Sequence, residues 1–193
     1  MKKENCLWEL IYLKDNLWVP DTASKRIELG RLLARKFSTD EDIVVPIPET
    51  ATLIAQGYSL EAGIPLVCAV YKKRPKIRTL FIKNREKVMK DIFFVIPELV
   101  KNKKIALIDE TTISGASVSI VINLLKQAKA KEIKVRIVAP IRRQCPKKDF
   151  IKSWTTIRHI PDYTKHLQVD SFGCLSMKVL KNFAKCVHCF EGE

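Results

Sequence analysis

The chain is 193 residues long, 47% hydrophobic and 29% charged, with only six Gly and nine Pro. That balance excludes a disordered tail or a collagen-like repeat and supplies the apolar side chains for one ordinary core. A formal charge of +14 points to an anionic partner without choosing among nucleic acid, phosphate ester and membrane surface. No apolar run approaches the roughly 20 residues of a membrane span. Glu9 and Lys14 interrupt the apolar stretch 7–13, so no signal-peptide core forms, and the expected location is cytoplasmic with no membrane partner.

In chain order, Asp21, Thr22 and Ser24 offer caps for a helix carrying Ile27, Leu32, Leu33 and Phe37 on one face. Residues 43–47 read as a short buried strand and 49–62 as a helix closed by Gly63. Residues 66–71 form a second apolar run and 105–108 a third. The third is followed by Val118, Val121, Ile122 and Leu125 at helical spacing. Residues 133–139 complete the series. Strands alternating with helices predict an α/β fold with a central parallel sheet flanked by helices on both faces. No repeat or linker divides the chain, so one domain over 1–193 is expected, with the less regular tail 145–193 at the sheet's periphery.

Ligands of such sheets bind at the carboxyl ends of the strands. Three loops should therefore share one edge. After the first strand come Glu49, Thr50, Ala51 and Thr52; after the second comes a basic stretch; after the third comes Asp109-Glu110-Thr111-Thr112-Ile113-Ser114-Gly115-Ala116-Ser117. Backbone N–H groups of 111–117 ahead of a helix favour a phosphate, and the two carboxylates can accept hydrogen bonds from sugar hydroxyls beside it. The Gly-Lys-Ser/Thr ending of a Walker loop is missing. A plain strand–helix turn capped by Thr and Ser would look the same locally. Lys72, Lys73, Arg74, Lys76, Arg78, Lys83, Arg85, Lys87 and Lys90, opposed only by Glu86, form the densest positive segment. Such a run is ordinarily a solvated surface, but following a strand end it suits a multiply charged, magnesium-bound polyphosphate ester.

The chain has six cysteines, and without an export signal these do not read as a disulfide framework. Cys68 and Cys174 lie in apolar surroundings and read as small buried hydrophobes. Cys186 and Cys189 are soft ligands at metal-clamping spacing, with Cys6 and Cys145 as distant partners. Phe190 stands where a haem-attachment motif needs His.

Residues 105–117, with their apolar strand, acidic pair and Thr/Ser/Gly loop, resemble the PRPP-binding motif of type I phosphoribosyltransferases. The fuller resemblance is to the phosphoribosyltransferase domain of the glutamine PRPP amidotransferase family. Residues 44–50 resemble its pyrophosphate loop, and Lys72, Arg74 and Arg78-Thr79 the start of its catalytic loop. Residues 169–176 and 186–193 resemble its Ala-Asp-Ser-Leu and Cys-x-x-Cys-Phe-x-Gly blocks, and residues 6–12 the segment where that domain begins.

The resemblance implies a type I phosphoribosyltransferase fold and a Mg2+-dependent transfer, of the kind used in purine biosynthesis, in which ammonia or another nitrogen nucleophile displaces pyrophosphate from PRPP. The 5-phosphate would lie on 111–117 and the ribose hydroxyls on Asp109 and Glu110. Pyrophosphate would lie between 49–52 and the catalytic set Lys72, Arg74 and Arg78. The iron–sulfur members of the family hold a [4Fe–4S] cluster at positions matching Cys6, Cys145, Cys186 and Cys189; zinc on the same four thiolates is the rival.

Departures accompany the match. The family's glutaminase domain and its N-terminal Cys are missing, which implies ammonia from solution or a separate glutaminase subunit. Glu110 replaces an Asp, Ser114 stands where Arg is usual, the segment 84–98 differs, and the Tyr-Gly-Ile-Asp block after Cys145 is lacking. These departures keep a second reading open, a non-catalytic PRPP or nucleotide sensor carrying the iron–sulfur cluster. A homo-oligomer is compatible with the sequence. Nucleic acid is the less favoured partner, because no nucleic-acid-binding motif is present and aromatics are only 8%.

Overall fold

A computed structural model describes residues 5–13, 21–73, 92–145 and 160–191. Its centre is a four-stranded sheet of β1 (Ile43–Pro46), β4 (Lys104–Thr112), β5 (Glu132–Pro140) and β6 (Ser171–Cys174) in the order β1-β4-β5-β6. All three pairings are parallel: Val45 lies beside Leu107, Leu107 beside Val135, and Val135 beside Phe172. Parallel strands demand cover on both faces, and the near-continuous apolar runs supply it.

Alternation along the strands divides the core. Val44, Ala106, Ile108 and Val138 face helices α1 (Leu7–Tyr12), α2 (Thr22–Lys36) and α3 (Thr52–Ala62). Val45, Ile105, Leu107, Val135 and Ile137 face α5 (Ala116–Gln127) and the short α6 (Tyr163–Leu167). The α5 residues expected on the core face, Val118, Val121, Ile122 and Leu125, are all buried there. In α2 the buried stripe is instead Thr22, Arg26, Leu29, Gly30, Leu33 and Ala34, with Ile27 and Leu32 at its margin. Asp21 precedes the helix, but its side chain makes no cap hydrogen bond.

Three boundaries differ from the sequence expectation. The run 66–71 does not extend the parallel sheet. Val44 takes one parallel bridge with Leu66, through Val44 N to Pro65 O at 2.9 Å and Val67 N to Val44 O at 2.8 Å. Ala69 N then donates back to Val67 O, a tight turn that redirects the chain. β2 (Val70–Lys72) consequently pairs antiparallel with β3 (Phe93–Val95), which leads into the single-turn α4 (Pro97–Val100). The helix expected from residue 49 begins at Thr52, because 49–51 form a turn; its end at Gly63, with φ 69°, is as expected. The tail after Cys145 is not wholly peripheral, since it supplies β6 to the sheet before α7 (Met177–Leu180) and a final 3-10 turn (His188–Phe190).

Cys68 is exposed rather than buried, because the turn that redirects 66–71 carries it to the surface. Cys174 is half-buried, and burial raises its pKa.

Candidate active site

Because β1 and β4 are parallel neighbours, the turn after β1 and the loop after β4 open at the same sheet edge. Ile47 N donates to Ile108 O at 2.9 Å, fixing their relative height. The 49–52 turn then carries its own bonds, with Thr52 Oγ1 donating to Glu49 O at 2.9 Å, and the Pro48–Glu49 peptide is cis. Ala51 is fully buried, while Thr50 Oγ1 crosses to Glu110 Oε1 at 2.7 Å. The first loop and the acidic pair are thus one unit.

Asp109, Glu110, Thr111 and Thr112 belong to β4 rather than to a loop, so the two carboxyls sit on rigid backbone. Both are buried, at 6% and 5% exposure. Burial pushes the Asp109 pKa well above the usual carboxylate range; the Glu110 charge and a hydrogen bond shared with that residue push it further, and Lys72 pulls it back. Apart from the Asp109 carboxyl beside it, Glu110 Oε2 is buried with no hydrogen-bond partner.

Beyond Thr112 the chain enters α5. Gly115 has φ 78°, a left-handed conformation that favours Gly. Its N–H donates to Thr112 Oγ1 at 3.0 Å, so that amide is spent inside the loop. α5 begins at Ala116, and the start of a helix is where a phosphate is favoured. Thr111 Oγ1 donates to Ala139 O at 2.7 Å and binds the loop to β5. Ile113 and Ser114 are half-buried at the bend. Lys72, the last residue of β2, lies near enough to Asp109 to act on its charge. Arg74 and Arg78 lie outside the described residues.

Sequence reading missed two groups beside this site. Arg26 is fully buried; its Nε donates to Leu10 O at 2.8 Å and its Nη2 to Leu13 O at 2.9 Å. Burial lowers its pKa and the nearby Glu110 charge opposes that, so a buried cation backs the acidic pair from α2. His166 Nε2 lies 3.0 Å from Ser114 O. Neither group carries a local signal, because each meets the site only through tertiary packing.

At the opposite end of α1, the four candidate ligand cysteines come together. Cys6 and Cys186 form a parallel bridge, with Leu7 N donating to Cys186 O at 2.9 Å and Cys186 N to Asn5 O at 3.1 Å. Arg142 N and Arg143 N both donate to Cys189 O, which brings the Cys145 segment alongside. Burial pushes the Cys189 thiol up to about 12, helped by a hydrogen bond with Cys145 and by the proximity of Cys6 and Cys186. Among the described residues, no three His, Cys, Asp or Glu side chains surround one ion position.

The chain is similar to several known proteins. The amidophosphoribosyltransferase of Methanothermobacter thermautotrophicus is 29% identical over 212 aligned positions, covering 100% of this chain and 44% of that protein. The rat amidophosphoribosyltransferase is 32% identical over 147 positions, covering 72% of this chain and 28% of that protein. Among solved structures, the glutamine phosphoribosylpyrophosphate amidotransferase from B. subtilis, complexed with ADP and GMP, superposes with a TM-score of 0.81 at 22% identity, over 98% of this chain and 47% of its own. The chain spans less than half the length of these three proteins. The phosphoribosyl transferase domain model matches residues 23–176, and the chain belongs to that family.

Proposed function

We propose that this chain binds Mg2+–PRPP and transfers its phosphoribosyl group to ammonia or another nitrogen nucleophile, releasing pyrophosphate, in purine biosynthesis. The observation that carries this reading is the buried Asp109–Glu110 pair, whose Glu110 Oε2 has no partner beyond the Asp109 carboxyl, set at a strand end beside a helix start. Burying such an acceptor is costly, and a ribose hydroxyl supplies a donor. The 5-phosphate lies on the amides around 113–117, and pyrophosphate lies between 49–52 and Lys72, with Arg74 and Arg78 assigned there by resemblance.

As pyrophosphate departs, positive charge grows at the anomeric carbon, the acidic pair at the strand end lies where that charge develops, and no covalent nucleophile is required. The carboxylates of Asp109 and Glu110 are oxygen donors that would suit Mg2+, which when bound would supply charge neutralisation of the leaving group. Ammonia reaches the site from solution or from a glutaminase.

The four cysteines gather from three segments, and by the family resemblance they would hold an iron–sulfur centre, with zinc on the same thiolates as the rival. The centre would tie α1, the Cys145 loop and the C-terminal turn together.

Anaerobically purified protein, incubated with PRPP and Mg2+, should release pyrophosphate when supplied with ammonium or with another nitrogen nucleophile, nucleobases being assayed separately. Failure to bind PRPP in calorimetry would overturn the assignment. Binding without release to any acceptor would replace it with the sensor reading.

A further inference from the structure

We propose that His166 is a positioning residue for the phosphate loop, holding the Ser114–Gly115 peptide so that its carbonyl points away from the bound phosphomonoester. The inference rests on the phosphate reading of residues 111–117 and adds a residue from a distant part of the chain.

The loop has no cation of its own, since residues 111–117 carry only hydroxyl, aliphatic and glycine side chains. Its phosphate affinity therefore depends on how its peptide dipoles point. Gly115, at φ 78°, is the place where a peptide turns over most cheaply, because Gly accepts conformations of either sign of φ. A turned Ser114–Gly115 peptide would aim the Ser114 carbonyl at an anion.

Both ends of that peptide are tied. The Gly115 N–H donates to Thr112 Oγ1 at 3.0 Å, and Ser114 O lies 3.0 Å from His166 Nε2. A carbonyl can only accept, so Nε2 carries the proton. Thr112 sits on the rigid strand β4, but His166 arrives from α6, 52 residues away in sequence.

α6 is built to hold still. Asp162 Oδ1 accepts from Thr164 N at 2.9 Å and from Lys165 N at 3.2 Å, capping its start. Tyr163 stacks on Phe172 of β6 at 4.7 Å between centroids, and Tyr163 and Leu167 are buried in the core. Leu167 also reaches the loop, since a methyl added at Gly115 would come within 2.8 Å of its Cδ2. His166 itself is exposed; its ring meets Tyr163 edge-on at 6.4 Å between centroids, and its hydrogen bond fixes it to the loop.

The test uses the full chain with His166→Ala and His166→Gln. Binding of ribose 5-phosphate is measured by calorimetry, and KM and kcat for PRPP-dependent pyrophosphate release are measured alongside. His166→Ala should weaken ribose 5-phosphate and raise the PRPP KM by about three- to tenfold, the range of one hydrogen bond, with kcat within about twofold of wild type. His166→Gln, whose amide still donates, should recover most of the loss. An unchanged ribose 5-phosphate affinity in His166→Ala would overturn the proposal, as would a Gln variant no better than Ala. Wild-type protein that binds neither ribose 5-phosphate nor PRPP would refute the site reading, and the role of His166 with it.

Discussion

Replacing Gly57 with Ala sets two opposing effects of known size against each other. In an exposed helix interior the change would stabilise by about 1 kcal/mol, because Ala is the better helix former. Here the added Cβ would lie 1.9 Å from Ile27 O, 2.7 Å from Ile27 C and 3.0 Å from Ile27 Cα, all backbone atoms of α2. Backbone cannot rotate away as a side-chain tip can, so α2 and α3 must separate by on the order of 1 Å. Overpacking of a core costs about 1–3 kcal/mol, and a clash with fixed backbone belongs at the upper end. The net expectation is a loss of about 2 kcal/mol, a fall in Tm of roughly 4–8 °C for a chain of this size.

Gly30 is the reciprocal position, with a Cβ that would meet Ile54 O at 1.9 Å and Tyr58 N at 2.8 Å. Gly30→Ala should cost about as much, and the double variant clearly less than the sum, because helices parted for one methyl have room for the second. The separation also reaches the site, since α3 begins at Thr52, two residues after the Thr50 that bonds Glu110. Urea and thermal melts of the three variants, with a PRPP titration, decide the matter. A Gly57→Ala protein as stable as wild type, or more stable, would refute the close-approach argument.

Three further outcomes are expected. Because the Asp109 pKa is raised in the folded chain, its contribution to stability is complete below the unfolded value near 3.9 and is lost as pH rises through the folded value. Asp109→Asn should therefore gain Tm relative to wild type as pH increases from about 4, and parallel Tm profiles would show that the fold does not raise the Asp109 pKa. Gly115→Val combines a β-branched residue at φ 78° with a Cβ 2.8 Å from Leu167 Cδ2, a strain of about 1–3 kcal/mol. It should weaken ribose 5-phosphate binding by about 5- to 150-fold at strain of that size, and wild-type affinity in calorimetry would contradict the loop assignment. Anaerobically purified protein should be brown, with the colour and iron lost in Cys186→Ser or Cys189→Ser and kept in Cys68→Ala and Cys174→Ala. Stoichiometric zinc without iron would sink the cluster.

The sequence alone determined whatever repeats locally or sits in contiguous order. The alternation of apolar runs with helical spacing specified the parallel sheet and the core face of α5, because strand and helix periods are written residue by residue. The acidic pair, the Gly115 loop and the 49–52 turn were legible as one sheet edge, because parallel connectivity places strand ends together.

Tertiary structure decided the rest. Residues 66–71 are as apolar as a central strand, yet a single turn at 67–69 sends them into a separate antiparallel pair and leaves Cys68 in water. Lys36 shares α2 with Arg26, but only Arg26 is enclosed, and that enclosure places a cation behind Glu110. The raised pKa of Asp109 comes first from burial, which only the fold supplies, and then from the charge of Glu110 beside it in sequence. His166 meets Ser114 because β6 closes the sheet edge and seats α6 against the loop. Periodicity is a property of neighbours along the chain, whereas burial and charge are set by whatever the fold brings alongside.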